Sequence, residues 1–444
     1  SGNSSQNSNR GNSYNNNRSS GSTSHVSDYE KALKFYGLKV PFTEKELKEK
    51  RRKMMKTAHP DAGGSTNEAE TINQYYDILK KSFEDLISDI GPLESFIKPN
   101  SKVLIKPNLV IKKSPEEGAT THPVLVRVVC EELLKLNCKV IIAESPGGPY
   151  TKNNLKGFYK TCGLIDELKG LDVEFNYDTS ETKVQNDNAI YLKSMNIISP
   201  ITKVDHVINL CKLKTHKMAK YTGGVKNLYG VIAGLEKTEI HYRFQTEELF
   251  CENVLLDICQ YINPSLTIMD GVYGMEGEGP TAGDIRKIGV LLASASPYAL
   301  DIAGCKLINL DPIKVGTVRG SIKRNLIKDD FSDIEFLGES IENFIVKDFK
   351  IPITSSDFRL LSLKLPKVLG DIVDKIITPK PIVDYKKCVK CGKCKVSCPA
   401  KVIQITEKGA EINLKKCIRC YCCHELCPKK AIHIKQNIFF KLVN

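Results

Sequence analysis

Tryptophan is absent from this 444-residue chain. No apolar run reaches the roughly 18 residues that a membrane-spanning helix needs. No secretory signal sequence is visible either, so we expect a soluble, cytoplasmic protein without a membrane span. Nothing resembles a nucleic-acid-binding module, and lysines occur throughout the chain despite a net charge of +13. We interpret the charge as a solvated surface with some lysines reserved for an anion site, and expect no nucleic-acid partner.

An initiating methionine is also missing, because the chain begins at Ser1. We therefore expect a fragment or a processed form of a longer protein. Residues 1–26 consist mainly of Ser, Asn and Gly and contain almost nothing that a core could bury. This composition predicts a disordered tail.

Cysteine, by contrast, is abundant, with 16 residues. Seven of them are scattered among apolar residues, which is typical of buried, reduced core positions rather than disulfides. This usage indicates a reducing compartment, and we expect the cytosol of an anaerobe. The seven are Cys130, Cys138, Cys162, Cys211, Cys251, Cys259 and Cys305.

The other cysteines lie near the C-terminus in two runs with the pattern C-x₂-C-x₂-C-x₃-C-P, residues 388–399 and 417–428. The runs repeat at a period of 29 residues. Thiolates at this spacing hold 4Fe–4S clusters, and the fourth cysteine of each run binds the other cluster. Zinc is the alternative metal, but zinc sites rarely show the duplicated run that ends in proline. The pattern predicts two 4Fe–4S clusters.

We name the predicted sites cluster I and cluster II. Cluster I takes Cys388, Cys391, Cys394 and Cys427, and cluster II takes Cys417, Cys420, Cys423 and Cys398. Cys422 is not needed as a ligand, so it is either a packing residue or a reactive thiol. The stretch closely resembles a bacterial two-cluster ferredoxin, which implies an α+β module over residues 379–444.

Residues 27–84 read as a small helical unit. A capping box of Thr43 and Glu46 opens a basic helix, and the tripeptide His59-Pro60-Asp61 ends it before a further helix. Helix, basic helix, HPD loop and helix together resemble a J-domain. The resemblance implies a DnaK-type chaperone as partner, bound through His59, Pro60 and Asp61.

Residues 85–378 alternate strand-like and helix-like stretches, which predicts an α/β domain. The predicted strands are residues 103–108, 139–145, 172–177, 204–210, 265–270 and 287–295. The clearest predicted helices are residues 122–136, 247–262 and 297–310.

Four polar motifs each follow a predicted strand: KPNLV, ESPGGP, CKLKTH and DGVYGMEGEGP. Ligands of open α/β sheets bind outside the carboxyl ends of the strands, so we expect the motifs to converge on one crevice. Two glycines before a predicted helix offer free N–H groups to an anion. The predicted anion ligands are Lys106, Asn108, Lys212, Thr215, Gly223, Gly224, Lys226 and Asn227. Surface lysines and ordinary turns are the alternative interpretation.

His216, Lys214, Asp270 and Glu276 are the predicted catalytic residues, as acids, bases or cation ligands. A hydrogen-bonded loop histidine and solvated acids would show the same sequence. Glu278 could likewise bind a cation or act as a base, and His122, His241 and Arg243 are weaker candidates.

The motifs KPN, TTHP, ESPGGP, KLKTH, YTGGVKNLYG, GLEK and MDG…MEGEGP together resemble a widespread bacterial and archaeal family of unknown function. Its members often carry a C-terminal two-cluster ferredoxin module. The resemblance implies an iron–sulfur protein with one α/β domain, and it supplies no substrate.

We predict an electron-transfer protein or oxidoreductase that works with a redox partner protein and an anionic ligand in the α/β crevice. Two alternatives remain open. One is a non-redox enzyme with structural clusters, and the other is an adaptor that recruits a chaperone to an iron–sulfur protein.

Overall fold

The computed structural model describes residues 92–234, 236–352, 354 and 379–435. All of these lie within one compact unit of the chain, residues 86–444. The predicted tail and the J-like unit, with His59, Pro60 and Asp61, lie outside the described residues. The J-domain resemblance and the chaperone partner therefore stay predictions.

The central domain is built on a mostly parallel seven-stranded sheet with the order β3-β2-β1-β6-β8-β9, to which β7 adds by pairing with β6. Strands β7 and β9 are antiparallel to their neighbours, and the other five are parallel. The strands are β1 (Lys102–Lys106), β2 (Lys139–Ile142), β3 (Val173–Phe175), β6 (His206–His216), β7 (Lys220–Thr222), β8 (Leu266–Glu276) and β9 (Asp284–Ser294). A separate hairpin pairs β4 (Glu181–Gln185) with β5 (Ser194–Ile198).

The strand order reverses between β1 and β6. The chain builds β1, β2 and β3 outward to one side and then returns to place β6 against the other side of β1. Such a reversal leaves a crevice at the carboxyl ends of the two central strands. All six predicted strands are present, but β6 and β8 continue further than predicted, through the CKLKTH motif and most of the DGVYGMEGEGP motif.

Helices cover both faces of the sheet. They are α1 (Pro123–Lys135), α2 (Lys152–Thr161), α3 (Leu164–Glu167), α4 (Gly224–Asn227), α5 (Glu236–Arg243), α6 (Glu247–Leu249), α7 (Leu255–Ile262), α8 (Pro297–Leu307) and α9 (Gly316–Lys323). A π-helical segment, Phe250–Val254, joins α6 to α7. Short 3₁₀ turns lie at Leu93–Ser95, Pro115–Glu117, Ser199–Lys203, Leu228–Val231, Pro312–Lys314 and Ile341–Phe344. The three predicted helices are confirmed as α1, the α6–α7 stretch and α8.

Alternation along β1 explains the layered core. Val103 and Ile105 point to one face of the sheet and pack in the cluster that contains α1 and α2. Leu104 points to the other face and packs in the cluster that contains α7. Because helices cover both faces, the central strands are nearly continuous apolar runs.

The seven scattered cysteines are all buried and free, as predicted. Burial raises the pKa of Cys130 and Cys259 to about 12 and that of Cys162 to about 11. These thiols therefore stay protonated and act as small apolar core residues.

The C-terminal module, residues 379–435, contains β10 (Lys380–Val383), α10 (Lys393–Val396), β11 (Ile403–Thr406), β12 (Gly409–Ile412), α11 (Cys422–Glu425) and β13 (Ile432–Lys435). Strand β10 pairs with β13, and β11 pairs with β12, both antiparallel. Each strand of one 29-residue repeat therefore pairs with a strand of the other repeat. This is the α+β arrangement that the sequence predicts.

The module packs directly against the central domain. Tyr421 and Ile434 are buried in the same apolar cluster as Leu255 and Ile258 of α7. The Tyr421 hydroxyl donates to the carbonyl of Pro379 over 2.9 Å.

Among the described residues, none of the helices combines the length and the apolar character that a bilayer crossing requires.

Candidate functional site

The cluster I cysteines surround one small cavity, which Cys388, Cys391, Cys394 and Cys427 line together. Burial raises the pKa of the Cys394 thiol, and the thiols that raise it further are those of the other three. The fold thus brings three cysteines of the first run to the last cysteine of the second. Four thiols around one cavity fit a 4Fe–4S cluster.

The cluster II cysteines also lie close to one another. Burial raises the pKa of Cys423 well above its ordinary value, and Cys420, Cys417 and Cys398 add to the effect. Two backbone N–H groups donate to cysteine sulfurs at repeat-related positions. Val402 N lies 3.4 Å from Cys398 Sγ, and Ala431 N lies 3.2 Å from Cys427 Sγ. Such bonds stabilise a thiolate, so the donor set suits iron–sulfur binding.

Two of the predicted anion ligands form buried ion pairs with neighbouring strands. Lys106 at the end of β1 pairs with Glu144, which follows β2. Lys212 on β6 lies 2.8 Å from Asp270 on β8. Burial lowers the pKa of Lys106 and raises that of Glu144, and each partner opposes the shift of the other. Because their charges are already matched, these lysines hold strand ends together.

Lys214 is buried without a carboxylate in contact. Its Nζ donates to Asn108 Oδ1 over 2.7 Å and to the Ala119 carbonyl over 2.6 Å. Burial lowers the pKa of Lys214 to about 7, and the charges of Lys226 and Lys212 lower it further. Near neutral pH this amine therefore exists in both protonation states, which suits an acid or a base.

Asn108 starts a chain of side-chain amides across the switch point. Its Nδ2 donates to Asn227 Oδ1 over 2.7 Å, and Asn227 Nδ2 donates to Asn209 Oδ1 over 2.8 Å. Asn209 Nδ2 then donates to the Gly224 carbonyl over 2.9 Å. The chain links β1, β6 and α4, and so fixes where the residues of α4 lie.

The predicted backbone anion site at Gly223 and Gly224 already has an internal partner. The N–H of Gly224 donates to Asp301 Oδ1 over 2.5 Å, and that of Val225 donates to Oδ2 over 3.2 Å. Burial raises the pKa of Asp301, on α8, to about 7. A Cβ on Gly223 would lie 2.0 Å from Asp301 Oδ1, so glycine is needed for this close approach. The N–H groups therefore anchor α4 to α8.

His216 ends β6 and faces the C-terminal module. Its Nδ1 accepts from the N–H groups of Met218 and Ala219 at 3.0 and 3.1 Å. Nε2 lies 2.9 Å from Glu425 Oε1, although it is not aligned for a hydrogen bond. Burial and the charge of Lys226 lower the pKa of His216 to about 4, so the ring is neutral near pH 7. Because Nδ1 is an acceptor, the proton of the neutral ring is on Nε2.

The remaining candidates lie in other surroundings. The Glu276 carboxylate accepts from the backbone N–H of Lys350 over 3.1 Å and lies 3.4 Å from Lys350 Nζ. Thr215 donates to the carbonyls of Met275 and Gly277. Asp270 accepts from the N–H of His122 over 2.9 Å. Two further candidates also have other environments: Glu278 pairs with Lys217, and Arg243 lines a separate polar depression with Glu181, Glu236 and Glu239.

A cavity of about 120 Å³ lies where the strand ends meet the C-terminal module, and we call it the crevice. Three predicted ligand residues line it: Asn108, Lys226 and Asn227. From the module, Ser397 and Cys422 line it, each next in sequence to a cluster II cysteine, together with Glu425 and Leu426. The crevice is therefore bounded by the α/β strand ends on one side and the surroundings of cluster II on the other.

Positive charge and an unused polar atom face the crevice. Lys226 is half-buried, and no ion pair involves it in the part of the chain that the structure describes. Lys237 Nζ donates to the Ser145 carbonyl at 2.5 Å, and burial lowers the pKa of Lys237 to about 7. His241 is only 8% exposed, and within the described part of the chain its Nδ1 has no hydrogen-bond partner. These groups suit an anion that can also accept or donate a hydrogen bond.

Sequence reasoning missed Lys237 as a site residue and ranked His241 too low. Both lie on α5, four residues apart and hence on one face of the helix. That spacing, which starts at the lysine of the GLEK motif, was the available signal. Glu425 could not be found in this way, because its position beside His216 depends on how the module packs.

Comparison with known proteins agrees with the division into two parts. Residues 103–306 match the family described as Domain of unknown function (DUF362), and residues 380–428 match the 4Fe-4S dicluster domain. A thylakoid-associated protein of Synechocystis sp. is 29% identical over 277 residues, which are 62% of this chain and 83% of that protein. Its name describes the location of that relative, and a cytoplasmic location of this chain stays a prediction.

Two solved structures show weak likeness. The lactate racemase apoprotein of Thermoanaerobacterium thermosaccharolyticum is 14% identical with a TM-score of 0.35, over 52% of this chain and 54% of that one. A structural-genomics target from Thermotoga maritima is 12% identical with a TM-score of 0.28, over 50% and 55%. The chain thus spans about half the length of each. From the sequence matches, residues 103–306 are similar to DUF362 domains, residues 380–428 are similar to 4Fe-4S dicluster domains, and the chain is similar to the thylakoid-associated protein.

Proposed function

We propose that this iron–sulfur protein passes single electrons between a redox partner protein and an anionic ligand bound in the crevice. The supporting observation is the shared lining of the crevice. Asn108 and Lys226 of the α/β domain and the neighbours of two cluster II cysteines, Ser397 and Cys422, bound the same cavity. A ligand held there contacts the surroundings of a redox centre directly.

The chemistry of the lining selects the ligand. A volume of about 120 Å³ is below the range of drug-sized small-molecule sites, about 300–1,000 Å³, so the crevice suits a ligand of only a few heavy atoms. Lys226 and Lys237 supply positive charge, and the free Nδ1 of His241 supplies a hydrogen-bonding position. We therefore expect a small organic anion with carboxylate or phosphate groups.

The residues around the ligand divide the work. Lys226 and Lys237 neutralise the anion, while the amide chain from Asn108 to Asn209 keeps the floor rigid. Lys214 lies behind the lining, where its Nζ donates to Asn108 Oδ1, and with a pKa near 7 it can supply or accept the proton that accompanies a change of charge on the ligand. When bound, the two clusters supply one-electron transfer. Each electron that the ligand gains is one that the partner protein loses, or the reverse.

Calorimetry on anaerobically purified protein tests the proposal, with phosphate and oxalate as probes. We expect at least one probe to bind, and the variant Lys226→Gln to weaken it about tenfold, since an ion pair in a partly desolvated site is lost. Lys160→Gln, an exposed lysine on α2, is the matched control and should bind as the parent does. EPR during reductive titration should show the potential of one cluster shift when the probe is added. Absence of binding, with unchanged potentials, would refute the proposal.

A second function has support from a different observation. Tyr421 and Ile434 of the module are part of the main apolar core, so the module also stabilises the α/β domain. Clusters that only hold this module in place would serve a non-redox enzyme. The variant Cys391→Ser separates the two functions. Loss of folding without any redox-dependent activity favours structural clusters, whereas a folded protein with altered electron transfer favours the first proposal.

A further inference from the structure

The C-terminal module concentrates the positive charge of the chain. Residues 379–435 contain 14 Lys or Arg residues against four Asp or Glu residues, so they account for +10 of the net charge of +13. The occurrence of lysines throughout the sequence conceals this imbalance. A field of one sign on so small a module attracts partners of the opposite sign over distances of about one Debye length, roughly 8 Å at physiological salt.

Three exposed lysines lie around the solvent-facing side of the cluster I site. Lys390, Lys393 and Lys429 line the same cavity as the four cluster I cysteines, and all three are exposed. Ion pairs with acidic side chains involve none of them among the residues that the structure describes. Three cationic side chains without internal partners are available for an external one.

An exposed apolar residue lies among these three lysines. Val389 is 57% exposed between Cys388 and Lys390, and Cys391 is exposed as well. Cluster II differs, because none of its four cysteines is exposed and two of their sequence neighbours, Ser397 and Cys422, line the crevice. The two sites therefore point in different directions, one to solvent and one to the ligand cavity. A small apolar centre with a charged rim is the usual form of a transient protein interface.

We propose that an acidic one-electron carrier protein docks on the surface formed by Val389, Lys390, Cys391, Lys393 and Lys429. This proposal rests on the proposed function and specifies its partner. Carriers of this kind bind weakly and exchange quickly, through small interfaces of less than about 1,200 Å², so steering by charge matters more than contact area. A nucleic acid or an anionic membrane would also meet the positive field, but neither needs the exposed edge of a cluster site.

Binding of a flavodoxin, an acidic flavin protein that carries one electron at a time, tests the proposal. The full chain is purified anaerobically with its iron, and its affinity for the flavodoxin is measured by fluorescence at low salt. The variant Lys390→Glu, Lys393→Glu, Lys429→Glu should lose at least about tenfold in affinity, and the parent should lose affinity as salt is added. Iron content must match the parent, and the milder Lys→Gln triple variant should give a smaller loss in the same direction.

The control variant Lys139→Glu, Lys160→Glu, Lys169→Glu changes the net charge equally at exposed positions of the α/β domain. We expect it to bind nearly as the parent does. Equal losses in the two triple variants would refute a specific surface. Tighter binding of duplex DNA or of phosphatidylglycerol vesicles, lost in the first variant, would assign the surface to those partners and refute the carrier. This affinity does not depend on the crevice, so it can hold even if no crevice ligand exists.

Discussion

Lys214 shows how burial can prepare a single residue for proton transfer. The side chain is 1% exposed, and its hydrogen bonds are to an amide oxygen and a carbonyl rather than a carboxylate. Burial and two neighbouring lysines lower its pKa from 10.5 to about 7. The unfolded chain therefore binds one more proton than the folded chain between about pH 7 and pH 10.5.

The sign of the pH dependence follows from this difference. Stability rises with pH wherever the unfolded state binds more protons, so Lys214 contributes stability that increases from pH 7 upward. The variant Lys214→Met lacks this gain. Relative to the parent, we expect the variant to lose about 2 kcal/mol of unfolding free energy between pH 7 and pH 9. Urea unfolding at both pH values measures the change.

Lys203→Met is the matched control, because Lys203 is 62% exposed and pairs with Asp178 at the surface. Its difference from the parent should stay the same at pH 7 and pH 9. If Lys214→Met also shows a constant difference, the buried amine titrates normally and its assignment as a proton donor or acceptor is wrong.

Residue identities were the part of the site that the sequence predicted best, and their partners were the part it predicted least. Lys106 and Lys212 were expected near one crevice, and they do lie at adjoining strand ends. That Glu144 and Asp270 neutralise them depends on strand order, which sequence spacing does not determine. The same holds for Asp301, which comes from α8, about 75 residues after the glycines it anchors.

At the scale of elements, the loop after β2 meets α11 very closely. A Cβ on Gly147 would lie 2.3 Å from Leu426 Cδ2 and 2.9 Å from the Val110 carbonyl oxygen. Glycine at this position therefore lets the ferredoxin module approach the strand ends. The contact between Gly147 and Leu426 closes one side of the crevice, and both of these residues line it.

The variant Gly147→Ala should destabilise the protein by about 1–3 kcal/mol, because it overpacks this contact. In the double variant with Leu426→Ala the methyl group has more room. The destabilisation of the double variant should therefore be about 1 kcal/mol smaller than the sum of the two single destabilisations. Unfolding in urea gives the three values. Leu133→Ala, on α1 in the other apolar cluster, is the control partner and should be additive with Gly147→Ala. Additivity with Leu426→Ala would mean that the module does not contact this loop.

Elements with strong apolar patterns were predicted, and those without were missed. The six strands found in the sequence include the nearly continuous apolar runs of β1, β2 and β8. Strand β4 is mostly exposed and polar, with Val184 as its single buried residue, and β7 has three residues. Their strand conformation depends on pairing with β5 and β6, which local sequence cannot indicate.

For the whole molecule, the ligand assignment predicts how iron depends on single cysteines. Cys422 and Cys423 are adjacent and both buried, and the Cys422 thiol also contacts that of Cys420, but only Cys423 is a cluster II ligand in the predicted scheme. We expect about eight irons in the parent and about half of that in Cys423→Ser. Cys422→Ser should keep the full content. Iron and sulfide analysis with EPR distinguishes the variants, and equal losses in both would overturn the assignment.

The 29-residue repeat was enough to predict the C-terminal module, because cysteine spacing follows directly from the geometry of cluster binding. The packing of that module on the α/β domain was not predictable. It depends on Tyr421, Ile434 and Leu426, which look in the sequence like ordinary apolar residues of a separate small domain.

The packing of the module on the α/β domain makes the shape of the crevice depend on the supply of iron. Ser397, Cys422 and Glu425 reach the crevice from segments whose conformation depends on bound metal, since a metal site of this kind rarely persists without its ions. A cell starved of iron, or one exposed to oxidants that strip it, would therefore lose a wall of the cavity as well as the route for electrons. The proposed ligand would then dissociate when the clusters are lost, and activity would end before the α/β domain unfolds.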